Sequence, residues 1–268
     1  MKVLKNCLVL LEKTIKGSAI SFDDNLHTMT LSEDGTYTAY SKEYEEHYHS
    51  TKDGALQESL LKHVLPAFKI KQYQQRINIL DICFGLGFNT LATLYYYKKN
   101  NLTSKLNIYS PELDASLVSS LKNFSYPKEF DEFRYIILEL CENGIYDDDF
   151  FHIEIFLGDA REYVRKFTKK FDIVYQDAFS PSSNPSLWTQ EYFSDIENVM
   201  KEDGILTTYS IALATRLALW KNNFMVYINK EDGIRNATVA SMCELKEFIQ
   251  VDMEHKIACN PDAKPLRD

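Results

Sequence analysis

Short apolar runs alternate with amphipathic segments along the middle of this chain, and this alternation restricts its fold more than any other feature. The apolar runs predict β-strands at residues 77–83, 105–110, 151–158, 171–176 and 204–211. The segments between them predict helices near residues 88–99, 113–123, 128–141, 159–168, 188–202 and 212–220. Strands that are apolar on both faces and are separated by helices are typical of a mostly parallel sheet with helices on both sides. We therefore expect an α/β fold.

The beginning of the chain departs from this alternation and reads as short β segments. Two of these segments are residues 8–15 and 19–24, and a hairpin is predicted around the turn at Asp34–Gly35. Residues 53–68 then carry apolar side chains at helical spacing, which predicts a helix before the first strand of the α/β region.

The end of the chain changes character as well. Two short strands around a turn at Asp232–Gly233 predict an antiparallel hairpin that closes the sheet. No linker rich in proline, glycine or serine interrupts residues 70–245. We accordingly predict a β-rich N-terminal extension at residues 1–52, one α/β domain at residues 53–245 and a C-terminal tail at residues 246–268.

Composition argues against several classes of protein. With 268 residues, 45% of them hydrophobic, the chain can bury a large core. No apolar run approaches the roughly 20 residues of a membrane span, and the start reads as a strand rather than as a signal peptide. Five scattered cysteines without a C-x-x-C pair fit the reduced thiols of a cytoplasmic protein. A net charge of −9 argues against broad nucleic-acid binding, although it is compatible with a local basic patch.

A strand, two glycines and a helix follow one another in ILDICFGLGFNTLATL. Asp81 lies near the end of the strand, and Gly85 and Gly87 allow a tight turn and a close approach of a ligand to the backbone. The spacing is neither that of a dinucleotide-binding G-x-G-x-x-G motif nor that of a P-loop. The alternative is a tight strand–helix connection without a ligand. The pattern D-x-x-x-G-x-G resembles motif I of the class I methyltransferases, which bind S-adenosylmethionine.

Acidic residues follow the next predicted strands. Because the carboxyl ends of parallel strands meet at one edge of a sheet, these side chains are expected to share a cleft. Glu112 is placed to accept two hydrogen bonds from a ribose diol, whereas Asp114 is better explained as a helix N-cap. Asp159 is placed to meet an adenine amino group, with Ala160 beside it, and helix capping is the alternative.

Asp177 ends the fourth predicted strand and precedes an irregular loop, SPSSNPS. A carboxylate there can face both the cofactor and a methyl acceptor. If the acceptor is an amine, the carboxylate can orient it, take a proton from it and stabilise positive charge growing on nitrogen. We therefore expect Asp177 to be catalytic and the loop to form a wall around the acceptor.

The stretch QDAFSPSSNPSLWTQEYF resembles the signature D-[AG]-F-[AS]-P-x-x-N-P-x-[LM]-W-[ST]-x-x-x-F of the tRNA wobble-uridine methyltransferases of the MnmC/MnmD type. Two further segments, LSEDGTYTAYSKEYEEHYHSTKDGALQESLLKHV and GILTTYSIALATRLALWKNNFMVYINKEDGIRNATVAS, resemble other parts of that family. The resemblance covers roughly residues 15 to 245. In one departure, Asp81-Ile82-Cys83-Phe84 stands where family members often carry glutamate and glycine.

The resemblance implies a Rossmann-like class I methyltransferase fold with S-adenosylmethionine as the cofactor. It implies conversion of 5-aminomethyl-(2-thio)uridine to 5-methylaminomethyl-(2-thio)uridine at the tRNA wobble position, with the anticodon region of tRNA as the partner. The FAD-dependent oxidase domain that is fused to some relatives is not expected in this chain, so we expect methylation alone, by a monomer that needs no metal.

The resemblance also implies site residues. For the cofactor these are Asp81, Phe84, Gly85, Gly87, Asn89, Glu112, Asp159, Ala160 and Asp177. For the substrate they are Tyr48, His49, Ser50 and Glu58 in the N-terminal segment and Phe179, Pro181, Asn184 and Trp188 in the signature. Arg161 and Arg165, which form a basic helix face with Lys169, are added as contacts for tRNA phosphates, and an ordinary solvated face is the alternative.

Two other functions stay open at this point. A small-amine alkyl transferase, such as a polyamine synthase, also places acids at strand ends of this kind of fold. A tRNA-binding module that keeps a cofactor pocket without turnover is the alternative outside enzymes. His47 and His49 lie two residues apart, but a third metal ligand is missing from the pattern, so a metal site is not expected.

Overall fold

Two β-sheets and a set of helices make up the computed structural model, which describes Phe22 and residues 26–268. The strands are β1 (His27–Leu31), β2 (Tyr37–Ser41), β3 (Glu46–His47), β4 (Arg76–Ile82), β5 (Lys105–Glu112), β6 (Ile145–Asp147), β7 (Phe151–Leu157), β8 (Phe171–Gln176), β9 (Met200–Thr208), β10 (Met225–Asn229), β11 (Ala237–Ser241) and β12 (Ile249–Gln250). The α-helices are α1 (Ala55–Glu58), α2 (Leu65–Lys71), α3 (Phe88–Lys99), α4 (Ala115–Ser120), α5 (Arg134–Asn143), α6 (Ala160–Val164), α7 (Gln190–Val199), α8 (Leu213–Lys221) and α9 (Met253–Cys259).

The larger sheet has the strand order β12-β10-β11-β9-β8-β4-β5-β7-β6. Pairing is parallel from β9 through β8, β4 and β5 to β7, and antiparallel at both edges. The hairpin of β10 and β11 closes one side, as the turn at Asp232–Gly233 predicts. The expected mostly parallel sheet with helices and a C-terminal antiparallel hairpin is therefore confirmed.

The central strands are buried on both faces. Along β4, Ile77 and Ile79 enter one hydrophobic cluster, whereas Leu80 and Ile82 enter the cluster on the opposite face. Successive side chains of a strand point to opposite sides, so a continuous apolar run is what a sheet covered by helices on both faces requires. Asp81 lies within this strand and is 1% exposed.

A smaller antiparallel sheet of β1, β2 and β3 precedes the domain. The register pairs Leu31 with Tyr37 across the turn at Asp34–Gly35, which confirms the predicted hairpin. The β segment predicted at residues 8–15, and all of the segment at residues 19–24 except Phe22, lie outside the described residues.

Several boundaries differ from the sequence prediction. Strand β9 starts at Met200, inside the helix predicted to reach residue 202. There Met200 pairs with Phe171 of β8, and Lys201 Nζ donates to Asp172 Oδ1 at 2.8 Å. The short edge strands β6 and β12 were not predicted. A strand of two or three residues has no periodicity of its own and depends on the neighbour with which it pairs.

The helix predicted over residues 53–68 begins at Ala55 and runs to Lys71, but it is not uniform. Between α1 and α2 lies a π-helical turn, Ser59–Val64. Lys62 and His63 on this turn are buried, whereas the neighbouring leucines are only half-buried. Among the described residues, none of the helices has the length and apolar character that crossing a membrane requires.

The signature loop after β8 is anchored by hydrogen bonds in the core. Gln176 Nε2 donates to the carbonyl oxygen of Leu187 at 2.9 Å, and Tyr192 on α7 donates its hydroxyl to Gln176 Oε1 at 2.8 Å. Trp188 is fully buried and donates Nε1 to the carbonyl oxygen of Phe179 at 2.7 Å. These contacts hold the loop against the sheet.

We predict that Tyr192→Phe lowers the free energy of unfolding by about 1–3 kcal/mol, because it leaves the buried Gln176 Oε1 without its donor. Urea unfolding measures the difference. Tyr73→Phe is the matched control, since Tyr73 is 88% exposed, and it is expected to change stability by less than about 0.5 kcal/mol. Equal effects of the two substitutions would contradict this assignment.

Candidate active site

A cleft of about 930 Å³ lies at the carboxyl ends of the central strands. Residues that follow β4, β5, β7 and β8 form one wall, and residues in and beside β2 and β3 of the smaller sheet form another. Parallel pairing brings these strand ends to one edge, which is where open α/β sheets bind ligands.

The cleft brings together eleven of the residues predicted from the sequence: Tyr48, His49, Ser50, Glu58, Gly85, Glu112, Asp159, Ala160, Asp177, Phe179 and Asn184. Eight others do not line it: Asp81, Phe84, Gly87, Asn89, Arg161, Arg165, Pro181 and Trp188. Proximity to the cleft supports the first group, but the individual roles of all these residues stay predictions.

The turn from β4 to α3 has an unusual backbone. Cys83, Gly85 and Gly87 all adopt left-handed conformations, with φ of 66°, 54° and 75°. A Cβ on Gly85 would lie 3.1 Å from the Tyr48 ring, and one on Gly87 would lie 2.9 Å from the Phe84 ring. Cys83 thus holds the left-handed conformation with a side chain, at a steric cost of about 1–2 kcal/mol.

Glu112 is held by the backbone on both sides. Its Oε2 accepts from the Gly85 amide at 2.8 Å and its Oε1 accepts from the Asp114 amide at 2.9 Å. Burial raises the pKa of Glu112, although these amide hydrogen bonds favour the carboxylate. Because each carboxylate oxygen can accept two hydrogen bonds, a diol in the cleft can still bind to it.

Two other acids at strand ends cap helices. Asp114 accepts from the backbone amides at the start of α4, and Asp159 Oδ1 accepts from the amides of Arg161 and Glu162 at 2.8 and 3.0 Å. Capping was the favoured interpretation for Asp114 and the alternative for Asp159, and the structure shows it at both residues. Both residues also line the cleft, so the cap holds each carboxylate at its rim.

Asp177 lies where β8 ends, and two side chains hold its carboxylate. Asn89 Nδ2 donates to Oδ2 at 2.8 Å, and His63 Nε2 lies 3.3 Å from Oδ1. Burial on its own would raise the pKa of Asp177, but the charge of His63 and the hydrogen bonds to the carboxylate lower it below its ordinary value. The residue thus presents an ionised carboxylate to the cleft.

Asp81 supports this arrangement from below the cleft. It accepts from Thr90 Oγ1 at 2.9 Å and from Asn89 Nδ2 at 3.4 Å. Burial raises the pKa of Asp81 to about 7, and the nearby charge of Asp177 adds to the effect. Asp81 therefore contacts the side chain that holds Asp177 rather than the cleft itself.

The predicted residues of the N-terminal segment form a second network. Glu58 accepts from the Ser50 amide through Oε2 and from Lys62 Nζ through Oε1, both at 2.6 Å. Lys62 Nζ also lies 3.2 Å from Asp53 Oδ2. Beside this network, burial lowers the pKa of His49, which keeps its imidazole neutral.

Sequence reasoning missed several residues of the cleft. Tyr44 stacks on Phe179 with ring centroids 4.5 Å apart, and Glu46 accepts from the Ser180 amide at 3.1 Å. Tyr209 donates its hydroxyl to the carbonyl oxygen of Ala178 at 2.9 Å. The contacts of Tyr44 and Glu46 join the smaller sheet to the signature loop, and that of Tyr209 joins the end of β9 to it. The sequence carries no periodic signal for them, because the partners are distant in the chain.

The two arginines predicted to bind tRNA are paired within the protein. Arg161 donates to both carboxylate oxygens of Asp268, at 2.8 and 2.6 Å, and Arg165 donates to Asp195 at 2.9 Å. Neither lines the cleft. Their availability for phosphate contacts is therefore reduced.

Charge on the cleft is predominantly negative. Its lining includes seven carboxylates: Glu43, Glu46, Glu58, Glu112, Asp114, Asp159 and Asp177. The basic lining residues are Lys52, His27, His47 and His49. Acids near a tight glycine turn suit a ligand that carries positive charge and hydroxyl groups, which is the chemistry of S-adenosylmethionine.

In the described part of the chain, no group of three or more His, Cys, Asp or Glu side chains is arranged to hold a metal ion.

Comparison with known proteins decides the family. Residues 130–243 match a family described as S-adenosyl-L-methionine-dependent methyltransferases. The crystal structure of MnmC2 from Aquifex aeolicus matches with a TM-score of 0.80 and 32% identity, covering 92% of this chain and 80% of that one. The chain belongs to the MnmC-type methyltransferase family. It is therefore an S-adenosylmethionine-dependent methyltransferase, and the resemblance, enzyme class and cofactor predicted from the sequence are confirmed.

Two relatives show how far this similarity extends. An uncharacterised protein of Methanocaldococcus jannaschii is 33% identical over 262 residues, which are 96% of this chain and 72% of that protein. A bifunctional MnmC protein of Azoarcus sp., named for tRNA 5-methylaminomethyl-2-thiouridine biosynthesis, is 29% identical over 214 residues. That match covers 74% of this chain but only 33% of the relative. The chain thus spans a third of the bifunctional relative.

We predict that Glu112→Gln weakens the binding of S-adenosylmethionine by roughly 10- to 100-fold, the usual size of a hydrogen bond to a charged group. The amide loses the charge and directs a donor at one of the two backbone amides that hold the side chain. Titration calorimetry measures the affinity. Glu162→Gln, at an exposed position on α6, is the control. If both variants bind like the wild type, Glu112 is not a cofactor ligand.

We predict that Asp81→Asn changes the pH dependence of stability. The folded carboxyl group has a pKa of about 7 against an ordinary value of 3.8, so the folded wild type holds a proton that the unfolded chain has lost. The stability of the wild type relative to the variant should therefore fall as the pH rises from about 4 to about 7, and level off above that range. Urea unfolding at several pH values measures this difference. Parallel curves would show that Asp81 does not titrate in this way.

Proposed function

We propose that this enzyme N-methylates the 5-aminomethyl group of (2-thio)uridine at the wobble position of tRNA. The observation that carries the proposal is the ionised carboxylate of Asp177 inside the cleft, at the start of a signature loop that resembles that of the MnmC/MnmD-type enzymes. The name of the bifunctional relative in Azoarcus sp. supports this substrate.

The acceptor side of the cleft suits an aromatic base that carries an amine. Tyr44 and Phe179 form a stacked pair, and Tyr48 packs on Phe179 with ring centroids 4.8 Å apart. Base–aromatic stacking is a common means of holding an unstacked nucleotide. We infer that the wobble base leaves its stack and enters here, with its aminomethyl group directed to Asp177.

The chemistry needs little from the protein beyond positioning and charge. When bound, S-adenosylmethionine supplies an electrophilic methyl group on a sulfonium. The neutral amine uses its lone pair to form a bond to the methyl carbon, while the carbon–sulfur bond breaks and its electron pair stays on sulfur. Asp177 accepts a hydrogen bond from the amine and stabilises the positive charge that grows on nitrogen.

Contacts with tRNA must come from local basic groups, because the net charge is −9. Lys52 lines the cleft and is exposed, so it is a better candidate than Arg161 or Arg165. Binding at the anticodon region, a cytoplasmic location and a monomeric state remain predictions, as does an activity limited to the methylation step.

The test is to incubate the purified protein with labelled S-adenosylmethionine and tRNA lacking this modification, and then to digest the tRNA to nucleosides. Label in 5-methylaminomethyl-(2-thio)uridine supports the proposal. In a parallel assay with labelled decarboxylated S-adenosylmethionine, transfer of the labelled aminopropyl group to a small amine would favour the alkyl transferase. Tight tRNA binding without turnover would favour the non-catalytic module.

We predict that Asp177→Asn lowers the rate of methyl transfer to tRNA by about 100-fold or more, the scale expected for a positioned carboxylate. The asparagine keeps the size of the side chain but loses its charge. Single-turnover methylation at saturating cofactor measures the effect. Asp232→Asn, in the exposed turn before β11, should retain wild-type activity. A fully active Asp177→Asn enzyme would remove Asp177 from the catalytic machinery.

A further inference from the structure

His63 lies beside Asp177 and does not line the cleft, and the sequence signals did not identify it. Its side chain is fully buried, with Nε2 3.3 Å from Asp177 Oδ1 and Nδ1 3.0 Å from Thr207 Oγ1. The ring also meets the ring of Tyr175 edge-on, with centroids 5.7 Å apart. His63 therefore connects the central strands β8 and β9 to the carboxylate at the acceptor site.

The helix around His63 departs from regular α-helical geometry. His63 lies on the π-helical turn Ser59–Val64, which directs Lys62 and His63 inwards while Leu60 and Leu61 stay half-buried. A regular amphipathic helix would bury the leucines instead. Isolated π-helical turns of this kind occur frequently at functional sites. The turn buries His63 and Lys62 more completely than the neighbouring leucines, which points to a functional reason for burying the imidazole.

The contact with Asp177 indicates which nitrogen of the His63 imidazole carries the proton. A lone pair on Nε2 would face the ionised Asp177 and be repelled, whereas a proton on Nε2 is attracted to it. Thr207 is compatible with this state, because its hydroxyl can donate to Nδ1. The 3.3 Å contact is not an aligned hydrogen bond. Contacts of catalytic groups are often loose before the substrate binds.

We propose that His63 is a positioning residue for methyl transfer, which holds Asp177 ionised and aimed at the acceptor nitrogen. The inference rests on the proposed function and deepens it. Asn89 holds Oδ2 and His63 holds Oδ1, so the carboxylate is fixed by both oxygens. With the histidine removed, the burial of Asp177 favours its protonated form, which attracts a developing cation poorly.

Other charged or titratable groups surround the pair and must be considered in any pH experiment. They are Tyr175 on β8, Asp81 on β4, Cys83 after β4, Tyr209 after β9, His49 after β3, and Glu58 and Lys62 on the same helix as His63. The acceptor amine also titrates. In kcat/KM for tRNA the ionisation of the amine is that of the free substrate, which is the same for every variant, so differences between variants in kcat/KM report on the protein.

The first experiment compares kcat, and the pH dependence of kcat/KM for tRNA, among wild type, His63→Ala and His63→Gln. His63→Ala should lower kcat at neutral pH by about tenfold or more and steepen the acidic limb of kcat/KM, because Asp177 now takes up a proton in that range. His63→Gln places an amide donor near the position of Nε2 and should recover part of kcat. The KM for S-adenosylmethionine should change by less than about threefold, and thermal unfolding checks that each variant is folded.

His255→Gln, at an exposed position on α9, is the matched control and should behave as wild type. An unchanged acidic limb in His63→Ala overturns the proposal, whether or not kcat falls. The proposal is also overturned if the loss of kcat in each variant matches its loss of thermal stability and His63→Gln recovers no kcat. The role of His63 would then be structural only.

A second measurement does not depend on the tRNA substrate. Nitrogen-15 NMR of the histidine rings should show the His63 proton on Nε2 in the wild type, and Asp177→Asn should shift that resonance clearly while leaving the His255 signals in place. A proton found on Nδ1 alone, or no response to Asp177→Asn, overturns the proposal. If wild-type protein fails to methylate tRNA, the proposed function fails, and the NMR result still decides whether His63 sets the state of Asp177.

Discussion

Parallel pairing of β4 with β5 on one side and β8 on the other is the constraint on which the rest of this enzyme depends. It brings the ends of these strands to one edge of the sheet, and thereby collects Glu112 and Asp177 at a single cleft. Carboxylates collected in this way are partly desolvated and repel one another, so each requires its own partners. Much of the site therefore consists of groups that bind and hold these carboxylates.

The groups that hold Glu112 differ in kind from those that hold Asp177. Glu112 is held by backbone amides, which do not titrate and favour a charged acceptor for a ligand. Asp177 is held by Asn89 and faces the imidazole of His63. Asp81, with its raised pKa, stabilises the amide of Asn89 at the base of the arrangement. The Glu112 side of the cleft thus has fixed backbone dipoles, whereas the Asp177 side has an amide and an imidazole side chain.

Much of the fold was predictable because its signals are local. The central strands are apolar on both faces, and the hairpins at Asp34–Gly35 and Asp232–Gly233 carry their own turn residues. The start of β9 at Met200 was mispredicted, because residues 200–203 join a strand only through pairing with β8. The edge strand β6 was missed for the same reason. Where an element depends on its neighbour, the local sequence does not reveal it.

Strand–helix alternation was sufficient to predict the sheet, and the acids after its strands and the loop after Asp177 were sufficient to predict a methyltransferase site. Tertiary packing was needed to establish which side chains meet there. It paired Arg161 with Asp268, joined Glu46 to the signature loop, and brought His63 to Asp177 across more than a hundred residues of chain. Spacing along a chain reports the face of a helix or strand, whereas contacts between distant residues arise only when the core has packed.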